Sequence, residues 1–220
     1  MILCAFDCSA RLGSVALFEG TTLLAERDDL DVAGKGERVM DVVREIVGDA
    51  ARVQRWAVGL GPGSMTGARV AVAFVKGVAL VTGAEVVGVT SFDAMDHGVS
   101  AANAAVCTVL RALPGEYYVR VRGHAHESDE PRIVVQTEVP QLLSALGPGA
   151  SLVGDAEILH AFYIDCAAVG KGVVTARITV APHDRPHARR IGEIAARRTP
   201  DDLEAVVPLY VMPARVTLPP

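Results

Sequence analysis

Short apolar runs and amphipathic stretches alternate along this chain, and their spacing predicts its elements. Residues 2–6 (ILCAF) are continuously apolar, as a strand covered on both faces requires. Residues 14–18 and 23–27 flank the turn Glu19-Gly20-Thr21, which predicts an antiparallel ribbon. Over 35–47 the apolar positions Val39, Val42, Val43 and Ile46 recur at helical spacing, opposite Glu37, Arg38, Asp41, Arg44 and Glu45. A strand over 56–60, a helix from about 66 to 81, a strand over 85–89 and a helix near 91–98 follow. The order βββαβαβα, with parallel crossovers in its second half, predicts an α/β layer. After about residue 100 a weaker mixed unit resumes, with strands at 105–110, 117–122, 133–136 and 152–153 and a helix near 141–146. Gly147-Pro148-Gly149 reads as loop punctuation.

The helix over 66–81 is apolar almost all round, with Arg69 and Lys76 as its charges. One face on a sheet does not account for that, so either a neighbouring helix or a partner meeting small residues such as Ala73 and Gly77 must cover the rest. The helix is preceded by GPGSMTGAR, residues 61–69. Gly61 and Gly63 permit backbone angles or close approaches that a Cβ blocks, Pro62 stiffens the turn, and Ser64 or Thr66 can cap the helix. Two readings stay open for this run: an anion site at a helix start, or an ordinary capped turn. It has neither the Gly-Lys-Ser/Thr ending of a P-loop nor GxGxxG spacing.

A chain of 220 residues, 50% hydrophobic and 21% charged, can bury a sizeable core in one large or two small domains. No run of eighteen or more uncharged apolar residues is bounded like a membrane span, and the N-terminus leads straight into a strand, so a soluble, cytoplasmic protein without a membrane partner is expected. A net charge of −5 argues against gripping nucleic acid unaided. Arg189, Arg190, Arg197 and Arg198 form one local exception, read as the solvated face of a helix whose Ile191, Ile194 and Ala195 pack inward. Cys4, Cys8, Cys107 and Cys166 show no CxxC pair or zinc spacing and read as reduced thiols. His183 and His187 are separated by Pro186, and His124 and His126 have no obvious third ligand, so neither pair reads as a metal site. No GxSxG or Ser-His-Asp set stands out.

The N-terminal ILCAFDCSARLGSVALFEG, GPGSMTGAR and the late PLY (208–210) resemble the TsaB (YeaZ) family. That family is the noncatalytic paralogue of the TsaD/Kae1 glycoprotease-like proteins of tRNA threonylcarbamoyladenosine synthesis. The resemblance covers roughly the first hundred residues and thins beyond them. It implies an actin-like (ASKHA, ribonuclease H-like) duplication of two βββαβα lobes, the first over 1–100 and a reduced second over 101–220, whose C-terminal helix packs back on the first lobe. TsaD-type enzymes carry a metal-binding HxxxH on an N-lobe helix, whereas no histidine precedes His97 here.

Asp7 falls where actin-like ATPases keep a metal-linked acid, but the loop after it has no glycine before Gly13, and Arg11 fills space there. Asp7 and Ser9 read as turn hydrogen-bonding residues ahead of nucleotide contacts. The resemblance implies a scaffold that activates a TsaD-like subunit in modifying adenosine 37 of tRNA, within a complex that also holds a TsaE-like ATPase. The chain then requires no cofactor or metal, meets tRNA indirectly, homodimerises when isolated, and has ATP or ADP only near the partner interface. Asp7, Ser9, Gly61, Gly63, Ser64, Thr66, Gly67 and Arg69 are the candidate anion or nucleotide contacts. Val39, Val43, Ala73, Phe74 and Gly77 are the candidate interface. The alternative is a self-sufficient enzyme, an actin-fold ATPase or kinase or a glycoprotein endopeptidase. Lys35-Gly36-Glu37 and Arg111-Ala112-Leu113 depart from the family's usual residues, which bears on the details of the second lobe.

Overall fold

A computed structural model describes residues 1–31, 36–99, 105–123, 130–146, 150–154, 157, 159–160, 179–180 and 185–211. The first sheet holds β1 (Ile2–Asp7), β2 (Leu12–Glu19), β3 (Thr22–Asp31), β4 (Arg55–Gly59) and β5 (Glu85–Val89) in the order β3-β2-β1-β4-β5. β1, β2 and β3 pair antiparallel, and β4 and β5 join parallel to β1 through crossover helices. The second sheet holds β6 (Val106–Arg111), β7 (Glu116–Arg122), β8 (Arg132–Val135), β9 (Ser151–Val153) and β10 (Thr179–Val180) in the order β10-β9-β6-β7-β8. β6, β7 and β8 pair antiparallel while β9 and β10 run parallel to β6, so the second sheet repeats the pairing of the first. This duplicated α/β topology is the expected actin-like fold.

Both faces of the first sheet are covered, which is why its strands read as continuous apolar runs. Cys4, Phe6, Val15, Trp56 and Val58 face a core shared with α1 (Gly36–Val47) and α2 (Met65–Thr82). There Phe74 meets the rings of Phe6 and Trp56 edge-on, each with centroids 5.7 Å apart. Leu3, Ala5, Ala16, Phe18, Ala57, Val87 and Val89 face the other way, onto Ala188, Ile191, Ile194 and Ala195 of α5 (Ala188–Ala195). The inward side of the arginine-rich segment is thus the cover of the first sheet, although it lies at the far end of the sequence. Gly192 lets α5 seat closely, since a Cβ there would enter the Phe18 ring.

The chain then continues as a strap over the first lobe. Asp201 bonds Val86 and Gly88, the Val206 carbonyl accepts from Lys76 of α2, and the Leu209 N–H reaches the Leu60 carbonyl at 2.8 Å. Leu209 and Val211 finally pack with Phe92 and Met95 of α3 (Ser91–Asp96) against Val106, Leu110 and Tyr118 of the second sheet. The opposite face of that sheet is covered by α4 (Val139–Ala145). α4 begins two residues before the expected 141, with Pro140 in its first turn, where a missing N–H removes no helical bond. α2 is long and apolar enough by composition to cross a membrane, yet Gly67, Ala68, Ala71, Val72, Val75 and Ala79 are buried within this fold.

Candidate functional site

Gly59 makes room for the last residue of β1, and Gly63 and Gly67 each for one residue of the loop after it. A Cβ on Gly59 would strike the Asp7 carboxylate, one on Gly63 the Ser9 carbonyl, and one on Gly67 the Cys8 carbonyl. The turn itself needs glycine as well, with φ of +83° at Gly61 and +153° at Gly63. Ser64 is the cap of α2, its Oγ accepting from the Gly67 N–H at 3.2 Å, while Thr66 is exposed on the first turn. The Ser64 N–H donates to the Ser9 carbonyl at 2.6 Å, and the Ser91 N–H donates to the Gly61 carbonyl at 2.7 Å. GPGSMTGAR therefore joins the end of β1 to the start of α3, with carbonyls of the β1–β2 loop set against the glycines.

Asp7 is wholly buried at the centre of this junction. Its Oδ2 accepts from the Ser9 N–H at 3.1 Å and its Oδ1 from the Ser9 hydroxyl at 2.8 Å, with the Ser91 hydroxyl 3.1 Å from the Ser9 hydroxyl. Burial pushes the Asp7 carboxyl up to about 6, against the opposing pull of the hydrogen bonds from Ser9 and Ala10. Because the fold favours the protonated acid, the associated stability is complete below pH ~4 and is lost as pH rises through about 6. A rise from 3.8 to about 6 corresponds to about 3 kcal/mol at most. Asp7→Asn is accordingly expected to raise the melting temperature at pH 7.5, and its advantage over the parent should close as pH falls to 4. Calorimetry across that range checks this, and an advantage independent of pH would refute the assignment.

Arg69 turns toward the C-terminal strap. Its Nε donates to the Tyr210 hydroxyl at 3.2 Å and its guanidinium lies 5.6 Å from the ring centroid, so PLY and GPGSMTGAR meet in space. Beside the junction, a cleft of about 740 Å³ opens between the lobes, lined by Arg11, Pro62, Ser64, Arg111 and Arg185. Arg185 is held by the Asp28 carbonyl at 2.7 Å, and Arg111 lies 3.7 Å from Glu157. The sequence placed Arg11 beside Asp7 and marked Arg111 only as a departure from the family's residues; it did not join them with Arg185, because the three come from distant segments. The thiols add no reactive group here: burial pushes Cys4 and Cys8 well up, the latter helped by Asp7, and Cys107 to about 12 despite the nearby Arg132.

The interface candidates separate into two groups. Val43 is 3% exposed and belongs to the core, and Phe74 is half-buried against Phe6 and Trp56, because both point from their helices toward the sheet. The side chain of Val39 lies outside the described residues. Ala73 and Gly77 are exposed, and a line of apolar side chains continues through Val70, Leu80 and Val81, which are 45%, 73% and 87% exposed. Among the described residues the chain's own strap meets α2 at Arg69 and at Lys76, while Val70, Ala73, Gly77, Leu80 and Val81 stay exposed. Among the described residues no three His, Cys, Asp or Glu side chains gather as metal ligands. His124, His126, His183, Cys166 and Gly147-Pro148-Gly149 lie outside the described residues.

Residues 36–147 match the family model described as TsaD, tRNA N6-adenosine threonylcarbamoyltransferase. No curated protein matches the sequence. Among solved structures, an uncharacterized Pseudomonas aeruginosa protein with similarity to peptidase YeaZ superposes with a TM-score of 0.73. It is 20% identical, over 96% of this chain and 99% of that one. YeaZ from the same organism superposes at 0.69, also 20% identical, over 95% of this chain and 99% of that one.

Proposed function

This chain belongs to the TsaD family of tRNA N6-adenosine threonylcarbamoyltransferases, and from that premise we propose that it is the family's YeaZ-type (TsaB) scaffold, which binds and activates a catalytic TsaD-like subunit. The observation that carries this reading is the outer face of α2. Val70, Ala73, Gly77, Leu80 and Val81 form a continuous exposed apolar surface on a helix whose opposite face is buried in the core of the first lobe. A face of this kind excludes water when a second helix docks, and small residues at its centre let the two backbones approach closely. The same face serves a second copy of the chain when no partner is present.

The loops support a role without chemistry of its own. The Cys8 and Ser9 carbonyls occupy the space beside Gly67 and Gly63 that a phosphate would need, and Asp7 is sealed away from solvent. In this reading the chain requires no cofactor or metal, any adenine nucleotide sits at the partner interface, and a TsaE-like ATPase and tRNA join through the complex. The compartment is the cytoplasm, where the modified tRNA resides.

The test compares the purified chain alone with the chain plus its cognate TsaD-like subunit. Alone, with ATP and magnesium or with a glycoprotein and zinc, it should give no sustained turnover. Added to the TsaD-like subunit, it should raise threonylcarbamoyl transfer to tRNA at least tenfold. Turnover by the isolated chain, or transfer by the partner that is indifferent to it, would overturn the proposal.

A further inference from the structure

Apart from the interlobe cleft, three distant segments line one pocket of about 470 Å³, and two of them bring four guanidinium groups to it. α3 and the turn after it supply Asp93, Asp96 and His97; β7 supplies Arg120 and Arg122; and the end of the α5 segment supplies Arg197 and Arg198. Arg120 donates to Asp93 at 2.7 Å and to Asp96 at 2.9 Å, Arg122 donates to Asp96 at 2.8 Å, and Arg198 donates to Asp93 at 3.0 Å. Arg122 also donates to the Val99 carbonyl at 2.9 Å. These bonds fix the directions of three guanidinium groups without neutralising the set.

The two aspartates of the lining meet four arginines, so the pocket carries a surplus of two positive charges. Burial opposes the ionised form of Asp93, but the hydrogen bonds and charges of Arg120 and Arg198 outweigh it and hold that carboxyl below its usual range. His97 Nε2 lies 3.4 Å from the Glu193 carboxylate beside the pocket. The side chain of Arg197 makes no hydrogen bond or ion pair among the described residues, while those of Arg120 and Arg122 are only 12% and 29% exposed. Fixed, partly desolvated guanidinium groups beside a free one form a fork suited to the oxygens of a tetrahedral anion.

We propose that this pocket binds the phosphate or pyrophosphate group of a small phosphorylated compound, without a metal ion. The charge is gathered on one small pocket by three segments, and the net charge of the chain, −5, disfavours a long nucleic acid backbone across it. Occupancy joins Arg197 to Arg122 and so ties the end of the C-terminal helix segment to the second sheet.

Inorganic pyrophosphate is the probe, titrated calorimetrically into the full chain at low salt with a chelator present. Saturable binding of one anion per chain is expected, weakening as salt rises. Arg197→Ala, which removes a side chain that holds nothing else, should weaken binding at least tenfold, and Arg197→Lys should restore part of it. Arg11→Ala, in the interlobe cleft, should leave the affinity unchanged.

No saturable binding at millimolar pyrophosphate, an unaltered affinity in Arg197→Ala, or loss of binding in Arg11→Ala would each overturn the assignment. So would a requirement for magnesium, or binding of an RNA oligonucleotide in preference to pyrophosphate. The measurement uses this chain alone, so its outcome is independent of whether a partner docks on α2.

Discussion

Gly67→Ala is expected to lower stability by about 3 kcal/mol, while Gly77→Ala, ten residues along the same helix, is expected to raise it by up to about 1 kcal/mol. Intrinsic helix propensity favours alanine at both positions, so the opposite signs come entirely from what the new methyl group meets. At Gly67 it meets the Cys8 carbonyl, a backbone atom that cannot swing aside. The β1–β2 loop must then move away from α2, taking with it the bond from Ser64 to the Ser9 carbonyl and the hydrogen bonds that Asp7 receives from Ser9. At Gly77 nothing lies within 4 Å. For a chain of this size the pair should differ by roughly 10 °C in melting temperature. Equal melting temperatures would show that the glycine run is not a packing device.

The second large effect concerns assembly. Gly77→Arg places a long charged side chain in open space, so the isolated protein should keep its circular dichroism spectrum and its melting temperature within a few degrees. Docking a helix over that position would bury the guanidinium group without a partner, at a cost of several kcal/mol, which is a loss of affinity of 100-fold or more. Co-purification with the cognate TsaD-like subunit should therefore fail for Gly77→Arg, whereas a charge placed far from α2 should leave it intact. Retained capture by a folded Gly77→Arg protein would move the interface to another face.

Much of the first lobe was legible in the sequence because its elements are either buried on both sides or strictly amphipathic. Residues 2–6 announced β1, and the spacing of Val42, Val43 and Ile46 announced α1, with ends displaced by a residue or so. β10 carries no such signal, since Thr179–Val180 is too short to show a period and is placed by pairing with β9. The interface surface was legible only in part. Helical spacing placed Ala73 and Gly77 on α2 but did not tell which side the strap of residues 201–211 would cover, so Val43 and Phe74 stood among the candidates although both face inward.

The charged pocket was missed for a different reason. Its signals are Asp93 and Asp96 one turn apart on a short helix and Arg120 and Arg122 on one face of a strand. Each pair alone reads as an ordinary solvated surface. Only the fold brings them together, with Arg198 arriving from the far end of the chain.

That late arrival has a consequence for biosynthesis. When a ribosome has released the first hundred residues, every strand of the first sheet exists, yet Leu3, Ala5, Ala16, Phe18, Ala57, Val87 and Val89 have Ala94 and Leu23 beside them and lack the cover of Ile191 and Ile194 until α5 emerges. The nascent sheet must wait, sticky on one side, through the making of the entire second lobe, a period of several seconds or more at ordinary elongation rates. Chaperone demand during translation, and aggregation of any product terminated before α5, follow directly from a fold whose opening strands are completed by its closing helix.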